Sequence, residues 1–103
     1  MKKNKERDAL KSVEIACVAP DVQEVLVGGT FNDWDPKQTP MRKNADGTWR
    51  VTLRLPAGSH EYKFVVDGGW VCEPGVDEFD PKLAGSPDCV PNAHGSWNRK
   101  LDV

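Results

Sequence analysis

Trp34 lies in the run Gly28-Gly29-Thr30-Phe31-Asn32-Asp33-Trp34-Asp35-Pro36, and Trp70 closes Glu61-Tyr62-Lys63-Phe64-Val65-Val66-Asp67-Gly68-Gly69-Trp70. Each tryptophan follows a strand-like run and sits on a turn. A turn cannot easily bury both faces of an indole, so the ring costs stability unless something else covers it. Lys63 lies between the two, opposite in phase to Tyr62 and Phe64, and is expected to face outward beside the turn that carries Trp70. Its ammonium donates hydrogen bonds while its stem covers apolar surface. This set suits a ligand that is apolar on its faces and hydroxylated at its edges. A pyranose fits: its axial C–H groups pack on an indole, and its rim hydroxyls need Asn, Ser, Lys or backbone partners. Each stacked ring is worth about 0.5–1.5 kcal/mol beyond area burial. Two rings and a few hydrogen bonds, offset by ordering costs, imply affinity on the order of micromolar to millimolar. A polymer with many repeated ends raises effective binding through multivalency.

Each aromatic also has a plainer reading. Trp34 and Trp70 are the candidates for ligand contact, against folding back as lids over one end of the fold. Trp49 shares the phase of Val51, Leu53 and Leu55 and belongs to the core. Trp97 is ambiguous and leans structural. No catalytic constellation is visible, because His60 and His94 stand without a Ser or Cys at a recognisable spacing. Glu73, Asp77, Glu78, Asp80 and Asp88 match no cation-binding loop, so they read as solubilising charge. A zinc site lacks paired Cys-x-x-Cys spacing. No metal or cofactor is expected, and a small hydrolase would need two placed carboxylates.

The elements that must position these residues are strands. With 103 residues and 38% apolar content, the chain has room for one hydrophobic core. A net charge of −2 argues against nucleic acid or an anionic membrane as partner. Residues 1–11 read as a flexible basic tail, with no apolar run behind them to make a signal peptide. A cytoplasmic, reducing compartment follows as the expectation. Cys17 falls in step with Val13 and Ile15 as a small buried hydrophobe, while Cys72 and Cys89 flank an irregular segment and could meet, as free thiols or as a disulfide.

Residues 12–103 read as the folded domain. Val13, Ile15 and Cys17 alternate with polar neighbours; Glu24 to Val27 follows, closed by a Gly28-Gly29 turn. Residues 30–40 are a loop, and Met41 to Lys43 a short strand before the hairpin signal Asn44-Ala45-Asp46-Gly47. The cleanest strand puts Trp49, Val51, Leu53 and Leu55 on one face. Pro56 to Ser59 turns into His60 to Val66, Asp67-Gly68-Gly69 turns again, and Trp70-Val71-Cys72 begins another strand. Residues 73–96 read as a long surface loop, and Trp97 to Val103 as a closing strand. No window has a helical period. The expected fold is all-β, an immunoglobulin-like antiparallel β-sandwich.

At these residues the chain resembles the glycogen-binding module of AMP-activated protein kinase β subunits, carbohydrate-binding module family 48, which also occurs beside the catalytic barrels of branching and debranching enzymes. The matching pieces are Val25 through Trp34, Asp46-Gly47-Thr48-Trp49, Leu55 through Trp70, and His94-Gly95-Ser96-Trp97-Asn98 to Val103. The likeness runs from about Ser12 to Val103. It implies an early-set sandwich that binds α-1,4-linked glucan (glycogen, starch or a maltooligosaccharide) without hydrolysing it, with a glycogen-metabolising enzyme or kinase as the kind of protein partner. It implies stacking platforms at Trp34 and Trp70, a hydroxyl donor at Lys63, and glucan contacts at Asn98 and at Ser96, where the family uses a threonine. His94 falls at a usually apolar position, where a leucine can pierce the sugar ring. The segment from Glu73-Pro74 to Gly95 is longer than in the kinase modules and more like short free-standing bacterial versions. The alternative is an interaction domain that keeps the fold and holds a protein instead. Nothing in the sequence demands more than a monomer.

Overall fold

The alternation resolves into β1 (Lys11–Val18), β2 (Val25–Gly29), β3 (Arg42–Lys43), β4 (Thr48–Leu55), β5 (Ser59–Val66), β6 (Gly69–Val71), β7 (Cys89–Pro91) and β8 (Trp97–Asp102) in the computed structural model, which describes residues 10–77, 80–85, 88–93 and 95–103. One antiparallel sheet runs β1-β4-β3 and the other β2-β5-β8-β7. The fold is the expected all-β, immunoglobulin-like sandwich. β5 is the hub of the larger sheet: β2 pairs with Tyr62–Val66 along one edge. Along the opposite edge β8 pairs with Ser59–Tyr62 and β6 with Phe64–Val66, end to end. No helix among the described residues is long and apolar enough to cross a membrane.

The core lies between the sheets. Ile15, Val25, Val27, Met41, Trp49, Tyr62 and Phe64 form one buried cluster. Apart from Met41, which precedes β3, these are residues whose period-two spacing puts them on inner faces. Cys17 sits opposite Trp49 and Ile15 opposite Val51 in the β1–β4 register. Trp49 belongs to this core as read, and its indole Nε1 donates to the Ala19 carbonyl at 2.9 Å. Two turn signals also hold. Gly47 adopts φ +87° and its N–H donates to the Asn44 carbonyl, closing the hairpin into β4. Asp67 and Gly68 (φ 47° and 88°) make the two-residue turn that returns β6 alongside β5.

Three expectations need correction. Gly28 and Gly29 are the end of β2 rather than a turn. Lys11, assigned to the tail, opens β1; residues 1–9 lie outside the described residues. Residues 73–96 are not one loop, because they hold a 3-10 turn (Pro81–Gly85) and β7. Leu83, Cys72 and Cys89 build a second small core there, against which Val76 and Trp97 pack, so Trp97 is structural. Three apolar side chains spread among Pro, Gly and Asp have no period to read.

Cys72 and Cys89 do meet, with their Sγ atoms 2.7 Å apart, and both are free thiols. Burial pushes the Cys17 thiol up to about 11, against a smaller opposing pull from Arg99. Burial, with the hydrogen bond and charge of Cys89, pushes Cys72 up to about 12. Two units above an ordinary thiol is about a hundredfold less thiolate, the species that alkylates. Iodoacetamide at pH 8 is therefore expected to modify Cys17 about a hundredfold more slowly in the folded protein than in urea, and Cys72 more slowly still. A mass-spectrometric time course checks this, and equal rates in the two conditions would contradict it.

Candidate functional site

The outer face of the larger sheet collects the residues singled out above. On β5, Glu61, Lys63 and Val65 point away from the core, because Tyr62 and Phe64 point into it. Residues directly opposite one another share a face. Gly28 lies opposite Lys63 on β2, and Trp70 lies opposite Val65 on β6. Asn98 on β8 shares the face of Lys100, which opposes Glu61.

Trp70 reaches this face through the Asp67-Gly68 turn. That turn is anchored because the Asp67 carboxylate accepts from the backbone N–H groups of Gln23 (2.9 Å) and Glu24 (2.8 Å). The indole then crosses β5. Its Cη2 and Cζ3 lie 2.5 and 2.6 Å from where a Cβ on Gly28 would stand. Only glycine admits so close an approach, which is why Gly28 belongs in a strand here.

Trp34 arrives from the other side, on the loop after β2. The buried Asn32 carboxamide holds that loop: Oδ1 accepts from Gly29 N–H at 2.9 Å, and Nδ2 donates to Val27 O (2.9 Å) and Thr39 Oγ1 (2.8 Å). Asp33 and Trp34 then take φ 55° and 60°. Left-handed non-glycine residues cost on the order of 1–3 kcal/mol each. Hydrogen bonds from Trp34 N–H to Gly29 O (2.9 Å) and from Asp35 N–H to Asn32 O (3.0 Å) offset that strain. The result is an indole that is 37% exposed, outside both hydrophobic clusters. Its ring centroid is 6.4 Å from that of Trp70, with 45° between the planes.

Beside the indoles lies a polar network. Lys63 Nζ donates to Ser96 Oγ at 3.0 Å, and Asn92 Nδ2 donates to Ser96 Oγ (2.9 Å) and Asn98 Oδ1 (3.0 Å). Asn98 Nδ2 donates to Glu61 Oε1 at 2.9 Å. Lys63, Ser96 and Asn98 are buried at 7%, 4% and 7% exposure. Lys63 therefore occupies the outer face that its phase predicts, but covered rather than solvated. No buried side-chain polar atom among the described residues lacks a partner. His60 Nε2 lies 3.0 Å from the Pro56 carbonyl, and His94 lies outside the described residues.

Five of the six candidate residues, Trp34, Trp70, Lys63, Ser96 and Asn98, thus meet on one face. Three contributors escaped sequence reasoning: Asn32, Asn92 and Glu61. Asn92 had a signal in Pro91-Asn92 followed by Gly95, a turn spacing between strands. Glu61 shares the phase of Lys63.

Residues 19–82, more than half of the chain, match the family described as the glycogen recognition site of AMP-activated protein kinase. The chain is similar to the mouse (Mus musculus) 5'-AMP-activated protein kinase subunit beta-2, 42% identical over 52 residues that cover 50% of this chain and 18% of that protein. It is similar to a 1,4-alpha-glucan branching enzyme of Lactobacillus acidophilus, 34% identical over 84 residues, 77% of this chain and 13% of the enzyme. It is also similar to the chloroplastic protein PTST homolog 2 of Arabidopsis thaliana, 41% identical over 51 residues, 50% of this chain and 9% of that protein. The match spans less than a fifth of each of these relatives.

Proposed function

The chain belongs to the family of glycogen recognition sites of AMP-activated protein kinase, and from that premise we propose that it binds α-1,4-linked glucan without cleaving it, holding itself or a partner at the polysaccharide. The observation that carries the reading is the pair of neighbouring indoles on the outer sheet face, their centroids 6.4 Å apart and their planes tilted by 45°. Successive sugars of an α-1,4 chain turn relative to one another, so platforms that are tilted suit them better than coplanar ones. Each platform takes an apolar sugar face, and the adjacent network supplies partners for rim hydroxyls. Hydrolysis uses a pair of carboxylates flanking the scissile bond. The network described has one, Glu61, and it is held by Asn98.

Native electrophoresis tests the reading. The wild-type chain is expected to be retarded in a gel cast with glycogen and to run freely in one cast with dextran, whose linkage is α-1,6. Incubation with glycogen should release no new reducing ends. Equal mobility with and without glycogen would sink the proposal in favour of a protein-interaction domain on the same fold.

A further inference from the structure

The polar edge beside the indoles carries more than the family reading, although it rests on that reading. We propose that Asn92 is a positioning residue that fixes the hydrogen-bonding sense of this edge, and that Glu61 is a further specificity residue accepting hydrogen bonds from sugar hydroxyls. The argument starts from a group that can only donate. Ser96 N–H lies 3.1 Å from the Asn92 carboxamide, so the atom facing it is Oδ1. The other end of that carboxamide is then Nδ2, and its two protons go to Ser96 Oγ and to Asn98. The Asn98 atom receiving one of them is Oδ1, which turns Asn98 Nδ2 toward Glu61 Oε1. Lys63 Nζ has no lone pair, so Ser96 Oγ accepts from it as well. Ser96 therefore accepts twice, and its own proton is what it has left to give.

One backbone N–H thus dictates the orientation of every side chain along this chain of bonds. Lys63, Ser96 and Asn98 are each under a tenth exposed and form a fixed template. Glu61 and Asn92 are only half-buried. Glu61 accepts from Asn98 through Oε1, and its second oxygen, Oε2, is the one assigned to the ligand. A carboxylate accepts only, and a vicinal pair of pyranose hydroxyls can donate to it with charge-assisted strength.

The test is a tryptophan-fluorescence titration with maltoheptaose of wild type, Glu61→Gln, Asn92→Asp and the double variant. Glu61→Gln keeps an oxygen for Asn98 and loses the charge. Asn92→Asp still accepts from Ser96 N–H and no longer donates to Ser96 or Asn98. Each single change is expected to weaken binding about tenfold, the value of one charge-assisted bond. The plateau of quenching, which reports the indoles, should stay at the wild-type value in both, as should the thermal midpoint of Glu61→Gln, while Asn92→Asp should lower the midpoint because Asn98 Oδ1 loses its donor. Because Asn92 acts on Glu61 through Asn98, the double variant should fall well short of the roughly hundredfold loss that independent sites give. Binding by Glu61→Gln within twofold of wild type, or a full hundredfold loss in the double variant, overturns the inference. If Asn92→Asp does not fold, Glu61→Gln alone decides. Wild type that ignores maltoheptaose overturns the glucan reading itself, which is a different result from wild type that binds beside an unchanged Glu61→Gln.

Discussion

Trp34→Ala is expected to abolish retention by glycogen while moving the thermal midpoint by no more than a degree or two. Stacking a sugar on an indole removes on the order of 100 Å² of apolar surface from water, about 2.5 kcal/mol at about 25 cal/mol per Å². The specific ring contact adds about 0.5–1.5 kcal/mol. A loss of about 3 kcal/mol is more than a hundredfold in affinity, enough to take a site in the micromolar-to-millimolar range out of reach. The fold loses little, since Trp34 stands outside both buried clusters. Trp70→Ala should abolish retention equally but at a structural cost. Its half-buried ring lies over Gly28, so its removal should cost about 1–2 kcal/mol. Glycogen gels run beside urea titrations of both variants separate the two effects. Undiminished retention of Trp34→Ala would defeat the stacking reading, and unfolding of Trp34→Ala would show that the ring is a lid after all.

The asymmetry between these two tryptophans shows where the sequence speaks and where it falls silent. Alternation assigns a residue to a face, which is why Trp49, Tyr62 and Phe64 were legible as core and Lys63 as outward. It says nothing about what covers that face. Lys63 is buried on the outer side, bonded to Ser96, 33 residues along the chain. Gly28-Gly29 carries a turn signature, yet Gly28 is required by a ring arriving from β6 and Gly29 by the close approach of β5 at Glu61 and Tyr62, contacts made across the sheet. The stretch from Glu73 to Ser96 looked structureless because Cys72, Leu83 and Cys89 find one another only in three dimensions. Asn92 carries a turn signal but no sign of its role, for the same reason: an asparagine in a turn looks ordinary until its carboxamide is seen joining Ser96 to Asn98.

Trp49→Ala is expected to do the reverse of Trp34→Ala and to cost about 3–5 kcal/mol of stability. Its indole is 6% exposed in the main cluster and opposite Cys17 across β1 and β4. Truncation leaves a cavity and strips the Ala19 carbonyl of the 2.9 Å bond from Nε1, a further penalty where the carbonyl is shut away from water. It also removes the ring beneath the Lys43 ammonium, 5.9 Å from the centroid, a contact worth about 0.5–1 kcal/mol at an exposed site. For a small domain with about 5–15 kcal/mol in total, such a loss approaches the whole margin. With a urea slope of about 1.5 kcal/mol per molar, the midpoint should fall by at least about 2 M. Trp49→Phe isolates the hydrogen bond from the volume. It keeps most of the packing and should lose about 1–2 kcal/mol, chiefly from the unpaired carbonyl. Glycogen retention should follow the folded fraction in both variants and return in full for Trp49→Phe well below its midpoint. A Trp49→Phe chain that is folded yet fails to bind would place Trp49 in the recognition surface, against its position in the core.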